Sequence, residues 1–237
     1  MCGRFTLTQS AEALAEVFHV QQRLDLEAQY NIAPTQTVVT LLHKAETNKR
    51  EFHKFRWGLI PSWAKDPTIS TKLINARAET IAEKPSFRSA FKQRRCLVVA
   101  DGFYEWQRHQ GKKQPFYFRL RDEQPFGFAG LWEKWTNPDG EEISSCTIVT
   151  TAANELLQPI HDRMPVILSP QDYDLWLDPQ QQKPQALQHL LSPYPASEMT
   201  AYPVSTLVNS PKHNSAECII PLDEQNSSLN QLPKNCV

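Results

Sequence analysis

No stretch of this 237-residue chain strings together enough apolar residues for a membrane-spanning helix, which needs ~20 of them. An excess of either charge is missing too: 25 Lys+Arg stand against 26 Asp+Glu, leaving -1. That balance excludes a polybasic histone-like binder and a supercharged acidic tail protein. Glycine is scarce, at 7 residues, while proline reaches 18. This inverts the usual ~7% and ~5% and argues for rigid turns and irregular strand ends over flexible linkers. Paired cysteine is absent as well. Cys2, Cys96, Cys146, Cys218 and Cys236 are odd in number and form no C-x-x-C, and no two histidines stand at i, i+4. A disulfide scaffold and a zinc site are therefore disfavoured, and the expectation is no metal and no organic cofactor. The opening MCGRFTLTQS has no charged-then-apolar signal pattern, and Gly3 falls one place late for myristoylation. The expected location is a reducing cytoplasm, with no membrane contact.

What is present is unevenly spread. Residues 1–121 carry 20 Lys+Arg and 11 Asp+Glu, whereas residues 122–237 carry 5 and 15. The sharpest basic stretch is KPSFRSAFKQRR (84–95), with Lys84, Arg88, Lys92, Arg94 and Arg95 around Phe87 and Phe91. Cations for phosphates and rings for bases suit a nucleic-acid surface; an amphipathic helix with buried Phe and solvated cations fits the same residues. Alternation predicts strands at 2–7, 37–42, 51–57, 95–100, 103–106, 115–120, 126–132 and 146–151. Helical spacing predicts a helix from Ala11 to Val20, and Ser169-Pro170 predicts a capped helix through Trp176 and Leu177. The expected fold is α+β: one domain over 2–222, a mostly antiparallel, barrel-like sheet with peripheral helices. A polar tail, frayed from Glu224, is expected over 223–237.

Cys2 carries the most unusual chemistry on offer. Removal of Met1 by methionine aminopeptidase leaves an α-amine and a thiol on adjacent carbons, a 1,2-aminothiol that no internal cysteine provides. The amine, with an ordinary pKa of ~7.7–8.0, attacks an aldehyde, and the thiol (~8.5) then closes onto the imine carbon to give a thiazolidine. The same pair also suits attack on an amide carbonyl, as in N-terminal-nucleophile hydrolases. A buried, inert thiol is the plain alternative.

Eight segments occur in order: MCGRF (1–5), YNIAPTQ (30–36), RWGLIPSW (56–63), INARAET (74–80), PSFRSAF (85–91), RRCLVVADGFYEW (94–106), TTAANELLQPIHDRMPVIL (150–168) and YPVSTLVN (202–209). From Cys2 to about Pro221 they resemble the SOS response-associated peptidase (SRAP) family, proteins that process abasic sites in DNA. Val99 is a small departure, standing where a Pro is common. The resemblance implies a single α+β domain with a positively charged groove leading to the processed N-terminus. It implies that Cys2 is the nucleophile joining C1′ of an abasic deoxyribose, with Asn75, Glu105 and His161 around it. Such groups match the chemistry: the closed hemiacetal must be opened by proton transfer, for which Glu105 would serve, with His161 a second acid/base near the leaving or attacking oxygen, and Asn75 can orient the Cys2 amine or a sugar hydroxyl without titrating. Read from local sequence alone, Glu105 also fits a solvent-facing strand position, and His161 and Asn75 fit turn-fixing roles. For DNA binding the resemblance implies Arg4, Arg77 and Arg163 on phosphates, Arg88 extending the track, Trp63 stacking on a base, and Thr151 hydrogen-bonding a phosphate or the site.

The expected activity is abasic-site DNA–protein crosslinking, of a lyase- or peptidase-like class, by a monomer acting on single-stranded DNA that contains abasic sites. It would belong to the DNA damage (SOS) response, with nucleoid association when bound to damaged DNA. The rival readings are a thiol N-terminal-nucleophile hydrolase or autopeptidase, and reversible binding of damaged bases.

Overall fold

A computed structural model describes residues 2–22, 24–44, 49–109 and 111–222 of the chain; the expected polar tail lies outside the described residues. The strands are β1 (Phe5–Leu7), β2 (Gln29–Ile32), β3 (Thr37–Lys44), β4 (Lys49–Trp57), β5 (Asn75–Arg77), β6 (Arg95–Ala100), β7 (Gly102–His109), β8 (Lys112–Leu120), β9 (Phe126–Thr136), β10 (Glu142–Ala152), β11 (Arg163–Pro165), β12 (Ile167–Leu168) and β13 (Met199–Pro203). The helices are short: α1 (Ala11–Val17), α2 (Arg88–Gln93), α3 (Tyr173–Leu177) and α4 (Pro184–Leu187).

The strands form two sheets. In the larger, β10, β4, β3, β6 and β9 follow in order and β9 pairs back onto β10, which closes a five-stranded barrel. All of its pairings are antiparallel except the short parallel one between β4 and β10. Leu41, Trp57, Leu97, Phe128 and Ile148 are wholly buried in its walls. The second sheet runs β13-β8-β7-β1-β2 and packs on the barrel through aromatic rings. Phe5 of β1 meets Trp57 edge-on at 5.1 Å and Phe128 at 5.9 Å, and Phe103 of β7 lies 5.9 Å from Phe128. Burying Phe5 contributes about 2–3 kcal/mol, so the start of the chain is anchored to the core three residues after Cys2.

Local chemistry sets the element ends. Ser10 caps α1, accepting from the Ala13 N–H at 3.2 Å. The helix stops at Val17, short of the expected Val20, because His19 turns left-handed (φ 55°). The His19 and Val20 N–H groups then satisfy the Glu16 and Ala15 carbonyls, a Schellman ending. Pro170 opens a 3₁₀ turn (Pro170–Asp172) ahead of α3, as its fixed φ favours, but the Ser169 side chain makes no capping bond. The strand expected at 2–7 begins only at Phe5, although Arg4 O still accepts from the Tyr104 N–H of β7. In the basic stretch, Phe87 and Phe91 are core residues. Arg94 pairs with Glu133 at 2.5 Å. Arg95 is buried, donating to the carbonyls of Phe91, Lys92, Trp176 and Asp178 at 2.5–2.8 Å. Half of that stretch is therefore structural, and Lys84, Arg88 and Lys92 remain at the surface.

Candidate active site

β1 and β7 run antiparallel, with Phe5 opposite Phe103 and the Tyr104 N–H donating to Arg4 O at 3.0 Å. That register brings the segment before β1 to the part of β7 that carries Glu105. Buried Asp101 locks it: Asp101 accepts from the Thr6 hydroxyl at 2.5 Å, the Thr8 hydroxyl at 2.8 Å and the Gln9 N–H at 3.0 Å. Gly102 has to be glycine here, because a Cβ would fall 2.1 Å from the Tyr117 hydroxyl, which itself bonds the Thr6 hydroxyl at 2.9 Å. From the other side, Asn75 Nδ2 donates to Cys2 O at 2.8 Å. Asn75 belongs to β5, which lies parallel to β10 with Asn75 opposite Ile148.

Cys2 is fully buried, and its thiol donates to Arg4 O at 3.6 Å. Burial, helped by the charge of nearby Glu105, pushes that thiol well above the ordinary cysteine range, so it rests protonated. Glu105 is itself nearly buried, and desolvation raises its carboxyl from 4.5 to about 7 against the opposing pull of the amino-terminal charge and the Trp106 N–H. It therefore exists as both acid and carboxylate near neutrality. His161 is partly exposed, and burial lowers its imidazole below the usual value. Its Nδ1 lies 3.0 Å from both the Arg163 N–H and Asp162 Oδ1.

Arg4, Glu105 and His161 line one cleft of about 740 Å³, together with Trp106, Gln107, Arg108, Lys113, Pro159, Ile160 and Asn209. Arg4 is held by Asn31 Oδ1 and Val208 O, both at 2.7 Å, and lies over the Trp106 ring at 5.9 Å. The Trp106 indole N–H in turn donates to Asn209 Oδ1 at 2.7 Å. Trp106, Arg108, Lys113 and Asn209 were not singled out from the sequence. Trp106 and Asn209 sit inside quoted segments, and Arg108 faces Lys113 across the β7–β8 pair, a cross-strand cationic pair that hairpin pairing could have flagged.

The remaining candidates are distributed as follows. β10 carries β5 on one edge and β11 on the other: Thr150 pairs with Arg77, Thr151 with Met164 and Ala152 with Arg163. Arg77, Thr151 and Arg163 therefore share one end of three adjacent strands. Arg77 is exposed, Thr151 buried, and Arg163 forms a two-point ion pair with Glu79. Trp63 projects, 58% exposed, from a turn after β4 that the Trp135 indole N–H pins through Ala64 O. Arg88 is exposed at the start of α2; neither Trp63 nor Arg88 lines the cleft. Among the described residues, no group of three His, Cys, Asp or Glu side chains is arranged to hold a metal, and no helix is long and apolar enough to cross a membrane.

A family model described as SOS response associated peptidase (SRAP) matches residues 1–211. The abasic site processing protein YoqW of Bacillus subtilis (strain 168) is 49% identical over 223 residues, covering 92% of this chain and 99% of that protein. The abasic site processing protein HMCES of Xenopus tropicalis is 35% identical over 219 residues, covering 80% of this chain and 65% of that protein. The crystal structure of a protein from Bacteroides thetaiotaomicron superposes with a TM-score of 0.80 at 30% identity, covering 92% of this chain and 99% of that one.

Proposed function

The chain belongs to the SOS response associated peptidase family, and from that premise we propose that it processes abasic sites in DNA, chiefly in single strands, by forming a thiazolidine crosslink through Cys2. The observation that carries the reading is the company Cys2 keeps: a carboxyl raised to about 7 by burial, and the Asn75 amide on its carbonyl. The substrate class is supported by relatives named abasic site processing proteins.

Methionine aminopeptidase removes Met1 and frees the α-amine of Cys2. The acid form of Glu105 protonates the ring oxygen of the abasic sugar as the C1′ hydroxyl loses its proton, and the aldehyde opens. The amine adds to C1′ and water leaves, giving an imine. The thiol then adds across the C=N bond: sulfur bonds to C1′, and its proton passes through the Glu105 carboxylate to the nitrogen. A thiol held protonated by burial suits this order, in which the amine attacks first and the thiol closes the ring. Ring closure removes the imine that would otherwise acidify C2′ and permit β-elimination of the 3′ phosphate, so the strand is shielded from cleavage.

Asn75 orients the Cys2 backbone, and His161 donates a proton when the adduct reverts. Arg4, Arg77 and Arg163 contact phosphates, Arg88 extends the track, Trp63 stacks on a neighbouring base, and Thr151 hydrogen-bonds within the site. A single-stranded substrate fits because no partner strand has to be unpaired. The test is denaturing electrophoresis after mixing mature protein with abasic single-stranded DNA. A shifted band that survives denaturation is expected. Its absence, with cleavage of a glutamine or peptide substrate in its place, would favour the hydrolase reading.

A further inference from the structure

Arg163 does not present an open fork to solvent. Its Nη1 and Nη2 donate to the two carboxylate oxygens of Glu79 at 2.5 and 3.0 Å, and Nη2 also reaches Thr150 O at 2.6 Å. Its Nε is buried with no hydrogen-bond partner among the described residues, so it offers no second fork. A carboxylate and a phosphate present the same pair of oxygens to a guanidinium, so at Arg163 they are competitors for one position.

The two partners differ in how free they are to leave. The Glu79 side chain is 52% exposed and that of Arg163 14%. Glu79 sits on the 3₁₀ turn Ala78–Thr80 just after β5, where it can swing into water. Arg163 is held in place by β11 and by Thr150 O. The Arg163 hydrogen bonds keep the Glu79 carboxyl below the usual carboxylate range, with the charge of Arg77 adding to the effect. The competitor is thus charged at any pH at which DNA would bind.

We propose that Glu79 is a built-in competitor for DNA phosphate at Arg163. Strand binding then exchanges a carboxylate for a phosphate, and the non-covalent hold on intact single strands stays weak. Retention at a damaged site falls to the covalent step, and undamaged DNA is released. This rests on the reading of Arg163 as a phosphate contact.

The test measures binding of an undamaged single-stranded oligonucleotide by fluorescence anisotropy for Glu79→Gln, Arg163→Ala and the double variant, with thermal melts to verify folding. Glu79→Gln keeps the shape and one acceptor but loses the charge. Kd is expected to fall about two- to five-fold, the scale of a partly exposed ion pair, and Arg163→Ala to raise it. The tightening is expected to vanish in the Arg163→Ala background, which marks the two side chains as coupled. Glu83→Gln, which removes an exposed carboxylate four residues on, is expected to change nothing. A rise in Kd with Glu79→Gln would make Glu79 a residue that aims Arg163, and overturn the proposal. Tightening that persists without Arg163 would be a general charge effect, and overturn it equally. If Arg163→Ala weakens binding while Glu79→Gln is neutral, only the competitor role fails. If Arg163→Ala itself leaves Kd unchanged, the phosphate contact and the proposal fail together.

Discussion

Cys96 and Cys146 in the barrel are as fully buried as Cys2 beside the second sheet, and burial pushes all three thiols upward in the same way. Their surroundings differ. Cys96 on β6 and Cys146 on β10 lie in the barrel wall; a Cβ added at neighbouring Gly130 would meet the Cys96 Sγ at 2.9 Å. Cys2 lies just before β1, near a carboxyl that burial raises to about 7 and under the Asn75 amide, and a cleft opens next to Arg4. Burial alone makes an inert thiol. Burial beside a carboxyl that changes charge near neutrality is what marks Cys2 as the candidate nucleophile.

The largest expected effect separates the two regions outright. Cys2→Ala should abolish the denaturation-resistant adduct and leave DNA binding largely intact. Cys96→Ala should crosslink as the parent does and lose about 1 kcal/mol of stability in urea unfolding. A Cys96 variant that lost crosslinking while folded would show that the barrel thiol is not inert.

Next is the proton carrier. Glu105→Gln is expected to slow crosslinking by roughly 10²–10⁴-fold with little change in DNA affinity. In the parent, the acid form is lost as pH rises through about 7, so a rate limited by ring opening should fall above that point. Stability carries the same signature. The folded value is raised from 4.5, so the stability this group contributes is complete below about 4.5 and is lost as pH rises through about 7. Across that window the parent should lose up to about 3 kcal/mol relative to Glu105→Gln, measured by urea unfolding at each pH.

Long strands were readable in the sequence: β3, β9 and β10 each carry a continuous buried run, and β4 buries Phe52, Phe55 and Trp57. The short β2, β5, β11, β12 and β13 were not, because two to five residues carry too little pattern and are held by neighbouring strands. Cys2 stood out by its chemistry, Asn75 and Glu105 only through the resemblance, and the fold brings the Asn75 amide onto the Cys2 carbonyl. The sequence concealed that Arg94 and Arg95 are structural: a cation reads as surface until the carbonyls it satisfies are known. The sequence also concealed the ion-pair partner of Arg163, since Glu79 lies 84 positions away.

Within the basic stretch, buried and exposed cations part in the same way. Arg95→Met leaves four carbonyls at the ends of α2 and α3 without their donor, and should cost about 3 kcal/mol in urea unfolding. Arg88→Ala should leave unfolding unchanged and reduce the salt dependence of single-strand binding by a slope of ~0.7. At the exposed extreme, Trp63→Ala should cost ~1–3 kcal/mol in affinity for single strands with no change in melting. The smallest effect is expected at His161. His161→Ala should still form the adduct but release it more slowly into excess competitor DNA, and the release profile should lose its inflection below the ordinary imidazole pKa of ~6.5.

The central claim is that both the amine and the thiol of Cys2 end on one sugar carbon. The most direct measurement is peptide mapping by mass spectrometry of the adduct formed with an abasic oligonucleotide, before and after borohydride treatment. A thiazolidine is expected to place the nucleotide on the peptide that begins with Cys2, at the summed mass less one water, and to resist reduction. An adduct that gains two hydrogens from borohydride, or that maps to a lysine elsewhere in the chain, would contradict it.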